Sequence, residues 1–196
     1  MTNNALILNG KDISVAHSEG ENRSWLDDIY RSHKMQYLKF FKMDNLCKAG
    51  FLAAELIGND IGWDKTVVKN DVAVVCFNRS SSLDDDMNYQ QTIRDSGNYF
   101  PSPSIFVYTL ANIVTGEIAI RNKIAGETSF YIMENFSSKR ILEAIEDIFA
   151  NPSIKGLLCG WTEYFDQNCD ILMMYLERNK GLKTNITENI IKKIYN

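Results

Sequence analysis

The sequence predicts an α/β fold with a mixed, mostly parallel sheet covered by helices. Residues 71–77 (DVAVVCF) are almost continuously apolar and β-branched, the pattern of a strand buried on both faces. From there to the C-terminus, strand and helix patterns alternate, as a layered α/β chain requires. With 196 residues, 45% of them hydrophobic and 23% charged, the chain can bury the core of one medium domain. No repeat, low-complexity segment or linker divides it, so residues 1–196 are expected to form a single domain.

Residues 5–8 form a short apolar run closed by the turn signal Asn9-Gly10. Residues 13–16 are placed to pair with that run or to continue the sheet. Ser24 is positioned to cap a helix carrying Trp25, Ile29, Tyr30 and His33 at helical spacing. The two histidines, His17 and His33, read as surface or packing residues. Residues 42–57 predict a helix, with Leu46, Ala49, Ala53, Leu56 and Ile57 at three-and-four spacing. Asp44 can cap its start and Gly58 can end it. The small Gly50, Ala53 and Ala54 suit close packing against another element.

Residues 79–99 are polar and punctuated. Asp84-Asp85-Asp86 reads as solvated loop rather than as a cation site, since no further ligand follows at a suitable spacing. Residues 104–120 predict one long helix opened by Pro101 and Pro103, with Ile105, Phe106, Leu110, Ile113 and Val114 along one stripe. A turn at 123–126 leads to a strand at 129–133. A helix starting at Ser137 or Ser138 turns Ile141, Leu142, Ile145, Ile148 and Phe149 inward and stops before Pro152. Strands follow at 154–159 and 170–176. Thr187 caps a final helix with Ile190, Ile191 and Ile194 on one face.

The net charge of −4 argues against nucleic acid as a partner. The basic run at 34–42 is flanked by Asp27, Asp28 and Asp44 and reads as a solvated face. No apolar run reaches the ~18 residues of a membrane span. The N-terminus lacks a basic segment followed by a long apolar one, so no membrane contact and a cytoplasmic location are expected. Cys47, Cys76, Cys159 and Cys169 are widely spaced and form no CxxC pair, so free thiols are expected. No metal or organic cofactor is expected.

Several stretches together resemble one family. ANIVTGEIAIRNKIAGETSFYI, with Asn112, Gly116, Ile118 and the turn glycine Gly126, precedes an amphipathic helix and then Gly160-Trp161-Thr162-Glu163. KFFKMDNLCKAGFLAAELI comes before them and ILMMYLERNKGL after. In order and spacing, residues 40–182 resemble the N-terminal half of the β-ketoacyl-acyl carrier protein synthases, of thiolase-like fold. No single motif is specific. The resemblance implies a thiolase-like half, and it implies that the strand before the corner at 134–136 contributes to a dimer.

In that family the corner carries a nucleophilic cysteine. Here the matching position falls on Glu134 or Asn135, with Ser137 as the small hydroxyl residue that follows. The family's two catalytic histidines have no counterpart after His33. The resemblance therefore implies a non-catalytic synthase-like subunit, comparable to a chain-length factor, in fatty-acid or polyketide assembly. Its expected partner is a ketosynthase or a second copy of itself, with acyl carrier protein as a further candidate. A lone half would leave the helix face at 105–114 needing a cover.

Lys139 and Arg140 open the next helix. Cations there are unfavourable to the helix dipole but could hold an anion such as a carrier-protein phosphate, although surface solubility is the plainer explanation of them. Two alternatives stand beside this reading. One is an active acyltransferase with a relocated nucleophile, Cys159 or Ser137. The other is an acyl-chain or carrier-protein binding module lined by Tyr131, Glu134 and Asn135.

Overall fold

A computed structural model describes residues 1–2, 5–16, 24–97, 99–178 and 185–196; His17 and residues 179–182 of the last matching stretch lie outside them. Strands β1 (Ile7–Leu8) and β2 (Lys11–Asp12) form a small antiparallel hairpin. Its turn residues Asn9 and Gly10 both take positive φ, 50° and 75°, as a tight two-residue turn demands. Residues 13–16 join neither sheet. Asp12 Oδ1 accepts from the Ser14 amide at 2.9 Å, and Ser14 Oγ accepts from the Leu6 amide at 2.8 Å, which bends this segment back on the hairpin.

Ser24 caps α1 (Trp25–Ser32) through Asp27 N, and His33 ends it. A 3₁₀ turn, Leu38–Lys42, precedes α2 (Asn45–Asp60). The helix starts later than expected because Asp44 is extended and caps it, accepting from Cys47 N at 3.1 Å. Gly58 does not end α2. It makes room for the Trp63 ring, which would lie 3.1 Å from a Cβ there, and the chain turns instead at Gly62.

After β3 (Val72–Asn78), the polar stretch is not a loop. It contains α3 (Leu83–Ile93), with the three aspartates in its first turn, where the helix dipole favours negative charge. Asp85 is the buried residue of that helix. Nor is 104–120 one helix. It divides into α4 (Pro103–Tyr108) and α5 (Ile113–Asn122). At the break, Thr109 Oγ1 bonds Phe106 O at 2.7 Å and Ser82 Oγ donates to Thr109 O at 2.5 Å, drawing that carbonyl out of the helical ladder. Helix α4 has no fully buried residue; Tyr108 is half-buried against the core, while Phe106 and Val107 are exposed.

Strand β4 (Thr128–Ile132) leads into α6 (Ser138–Ala150). Strand β5 (Gly156–Phe165) runs well past Gly160, its expected end. A Cβ on Gly160 would fall 1.8 Å from the Leu172 carbonyl oxygen, so the glycine lets the neighbouring strand pass closely and pairing continues. Asp166 and Gln167, both at positive φ, close the hairpin to β6 (Asn168–Glu177). Helix α7 (Glu188–Tyr195) is capped by Thr187.

The main sheet has the order β4-β3-β5-β6. Strands β4 and β5 lie parallel to β3, and β6 is antiparallel to β5, giving the mixed, mostly parallel sheet expected. Alternation along β3 divides the core in two. Val72, Val74 and Cys76 face α1, α2 and α5, while Ala73, Val75 and Phe77 face α6 and α7. Gly50 brings α2 against α5, since a Cβ there would meet Val114 Cγ2 at 2.5 Å. The result is a helix–sheet–helix sandwich.

Candidate functional site

Strands β3, β4 and β5 run in the same direction, and their carboxyl ends are where open α/β sheets present ligand-binding loops. The corner after β4 lies there. Met133 N donates to Asn78 O at 2.8 Å, tying the corner to the end of β3. Glu134 and Asn135 are exposed. Phe136 turns inward, stacking on Tyr195 at 3.7 Å between ring centroids and meeting Trp161 edge-on at 6.0 Å. Ser137 caps α6, its Oγ accepting from Arg140 N at 3.3 Å. Lys139 and Arg140 project outward, and both meet Glu143 on their own helix, at 4.0 and 2.9 Å.

Beside the corner, Asp170 Oδ2 accepts from Trp161 Nε1 at 3.1 Å and from Tyr195 OH at 2.5 Å. Burial and the Asp170 carboxylate together raise the Tyr195 phenol well above its ordinary value. Glu163 Oε2 accepts from the amides of Arg79 and Ser80 at 2.7 and 3.1 Å, while its Oε1 is buried without a partner among the described residues. Asn78 holds Ser81 by both side-chain atoms. Asn78, Glu163 and Asp170 are therefore the polar groups that shape this end of the sheet. The GWTE match pointed to Glu163, but nothing in the sequence pointed to Asn78 or to the Asp170–Tyr195 bond.

The sulfur atoms lie elsewhere. Cys47, Cys76, Cys159 and Cys169 are all buried, and none is joined in a disulfide among the described residues. Burial pushes Cys76 up to about 12 and Cys159 higher still, so both remain thiols at neutral pH. Among the described residues, the Ser137 hydroxyl has no imidazole or carboxylate hydrogen-bonded to it as a base. Glu134, Asn135, Ser137, Lys139 and Arg140 thus share one corner, arranged as an exposed cap rather than around a reactive atom. A groove of about 760 Å³ runs along the outer edge of β6, between the β1–β2 hairpin and α7. Its walls include Leu6, Leu56, Ile171 and Ile186, and it contains none of the corner residues.

Among solved structures, the fold is similar to a chain of the structure titled "The ishigamide ketosynthase/chain length factor". The TM-score is 0.61 at 14% identity, over 72% of this chain and 46% of that one. A chain of "Ketosynthase (ApeO) in Complex with its Chain Length Factor (ApeC) from Xenorhabdus doucetiae" matches with a TM-score of 0.49 and 14% identity, over 67% of this chain and 50% of that one. The chain therefore spans half or less of the length of either. The first likeness establishes the architecture: the α/β layer is consistent with half of a thiolase-like fold. No protein-family model matches the sequence, and no curated protein matches it.

Proposed function

We propose that this chain is a ketosynthase-like subunit, comparable to a chain-length factor, that works beside a catalytic ketosynthase in polyketide or fatty-acid assembly. The observation that carries this reading is the corner. It has a strand–turn–helix shape and exposes Glu134 and Asn135, one or the other of which the resemblance puts at the family's cysteine, while the chain's own thiols are buried and protonated. A carboxylate and an amide can shape a pocket or contact a partner, but neither is a thiolate that could hold the acyl group as an enzyme thioester. Acyl carrier protein is the further partner in this reading.

The outer edge of β4 suits a protein partner. Among the described residues the strand pairs only with β3; it carries no charge and leaves Tyr131 46% and Ile132 61% exposed. An uncharged open edge is a template for pairing with another chain. The Met133 amide points to β3, so alternation along the strand turns the Ile132 amide outward. Co-expression with a ketosynthase, affinity capture and light scattering test the proposal. A stoichiometric complex is expected, and Ile132→Pro or Ile132→Lys should abolish it while far-UV circular dichroism stays unchanged. Acyl thioester should leave the mass of the isolated chain unchanged. A compact monomer that captures no ketosynthase, or a stable acyl adduct, would remove this reading.

A further inference from the structure

Helix α3 is attached to the body by an unusual residue. Its buried side chain is Asp85, 6% exposed. This carboxyl faces the Asp44 carboxyl at the start of α2, and Asp44 Oδ2 and Asp85 Oδ2 are both buried with no donor among the described residues. Two facing acceptors satisfy neither oxygen unless one carries a proton, and a buried oxygen left without a partner is costly. Nearby are Cys47 on α2, Asp84 and Asp86 on α3 itself, Tyr108 on α4 and Glu117 on α5. Glu117 is 4% exposed and binds Lys39 of the 3₁₀ turn at 2.6 Å, so that cation serves Glu117. Tyr108 lies beside Glu117, whose Oε2 is buried with no hydrogen-bond partner among the described residues. Among the described residues, no group of metal-ligating side chains could hold a metal ion. A proton is what remains to join the two acids.

The other ties of α3 do not replace this one. Asp84 Oδ1 accepts from Asp166 N at a long 3.3 Å. The Tyr89–Phe106 ring contact and the Phe100 N to Thr92 O bond lie within the α3–α4 segment and would move with it. That segment already exposes Met87, Phe100 and Phe106.

We propose that the Asp44–Asp85 pair is a proton-held latch: one shared proton fastens α3 and α4 to the body, and its loss releases them. When the proton leaves, two buried carboxylates face each other and repel, and solvent is the only place α3 can take its charge. Burial first, and Asp44 second, raise Asp85 to about 9, so the latch is closed at neutral pH and opens on the alkaline side.

Amide hydrogen exchange read by mass spectrometry tests this on the full chain, over residues 83–108, from pH 6 to pH 10 and corrected for intrinsic rates. Protection in this segment should fall at least tenfold across the alkaline half of the range while β3 and β5 stay protected. In Asp85→Asn the amide can donate to Asp44 without a proton, so its protection should be flat. Asp44→Asn, which preserves the helix cap, should be flat too, and Asp84→Asn should follow the parent. An infrared carboxylic-acid band that persists at pH 7 and is lost in Asp85→Asn would locate the proton. A flat parent profile, or both Asn variants opening at the same pH as the parent, overturns the latch.

Discussion

Glu55 is 2% exposed in the middle of α2, yet its neighbours favour the charged form. Burial opposes its charge most strongly. Hydrogen bonds from Arg121 at 2.7 and 3.1 Å and from Lys65 at 2.6 Å together outweigh that cost and hold its carboxyl below the ordinary value. Glu55→Ala would leave Arg121 and Lys65 partly buried and unpaired, and should cost about 3 kcal/mol in urea unfolding. Because the folded value is lowered, the stability Glu55 contributes is present above its unfolded value of 4.5 and lost as pH falls through the folded one. Asp85 has the opposite sign. Its contribution is complete below the unfolded value of 3.8 and is lost as pH rises toward about 9. Asp85→Asn should therefore raise stability at pH 8, read as a higher urea midpoint than the parent's. All four thiols are buried and raised, so the native chain should show no fast-reacting cysteine toward iodoacetamide at pH 8 until it unfolds. One rapid thiol would restore the relocated nucleophile.

Among the elements, α6 was the most legible. Its stripe of Ile141, Ile145 and Ile148 is the buried face, and Ser137 is its cap. Ile145→Ala should cost about 3 kcal/mol, measured as a lower midpoint in denaturant at unchanged slope. Helix α7 was also predicted, but its seat was not. Tyr195 lies flat on Phe136 and donates to Asp170, so the C-terminal helix closes over the corner. Phe136→Ala should cost about 2 kcal/mol and speed hydrogen exchange in α7 before α6. Helix α3 and the division between α4 and α5 escaped the sequence for one physical reason. Apolar spacing reports a face buried by hydrophobic contact, whereas α3 is seated by a carboxyl and α4 has no fully buried residue, only the half-buried Tyr108 against the core.

For the whole molecule, the feature that matters is exposed apolar surface. Of the expected face at 105–114, Val114 is buried against α2, while Phe106, Val107 and Leu110 remain open to solvent. Together with the edge of β4, which has no partner beyond β3 among the described residues, this is the surface that the proposed partner would cover. Sedimentation without a partner should show association that rises with concentration and weakens in Ile132→Lys. Among the described residues, no helix is long and apolar enough to cross a membrane.

The sequence by itself determined the layering. A doubly buried β3 and amphipathic helices on either side of it leave few ways to arrange a sheet, because apolar periodicity states directly which faces must leave water. Tertiary structure alone decided which distant polar groups gather beside the corner and how α3 is held. Those outcomes depend on which polar atoms, far apart in the chain, come within hydrogen-bonding reach: Tyr195 with Asp170, Glu163 with the Arg79 amide, Asp85 with Asp44. Spacing along a sequence carries no record of such meetings, since a hydrogen bond is made by distance in space.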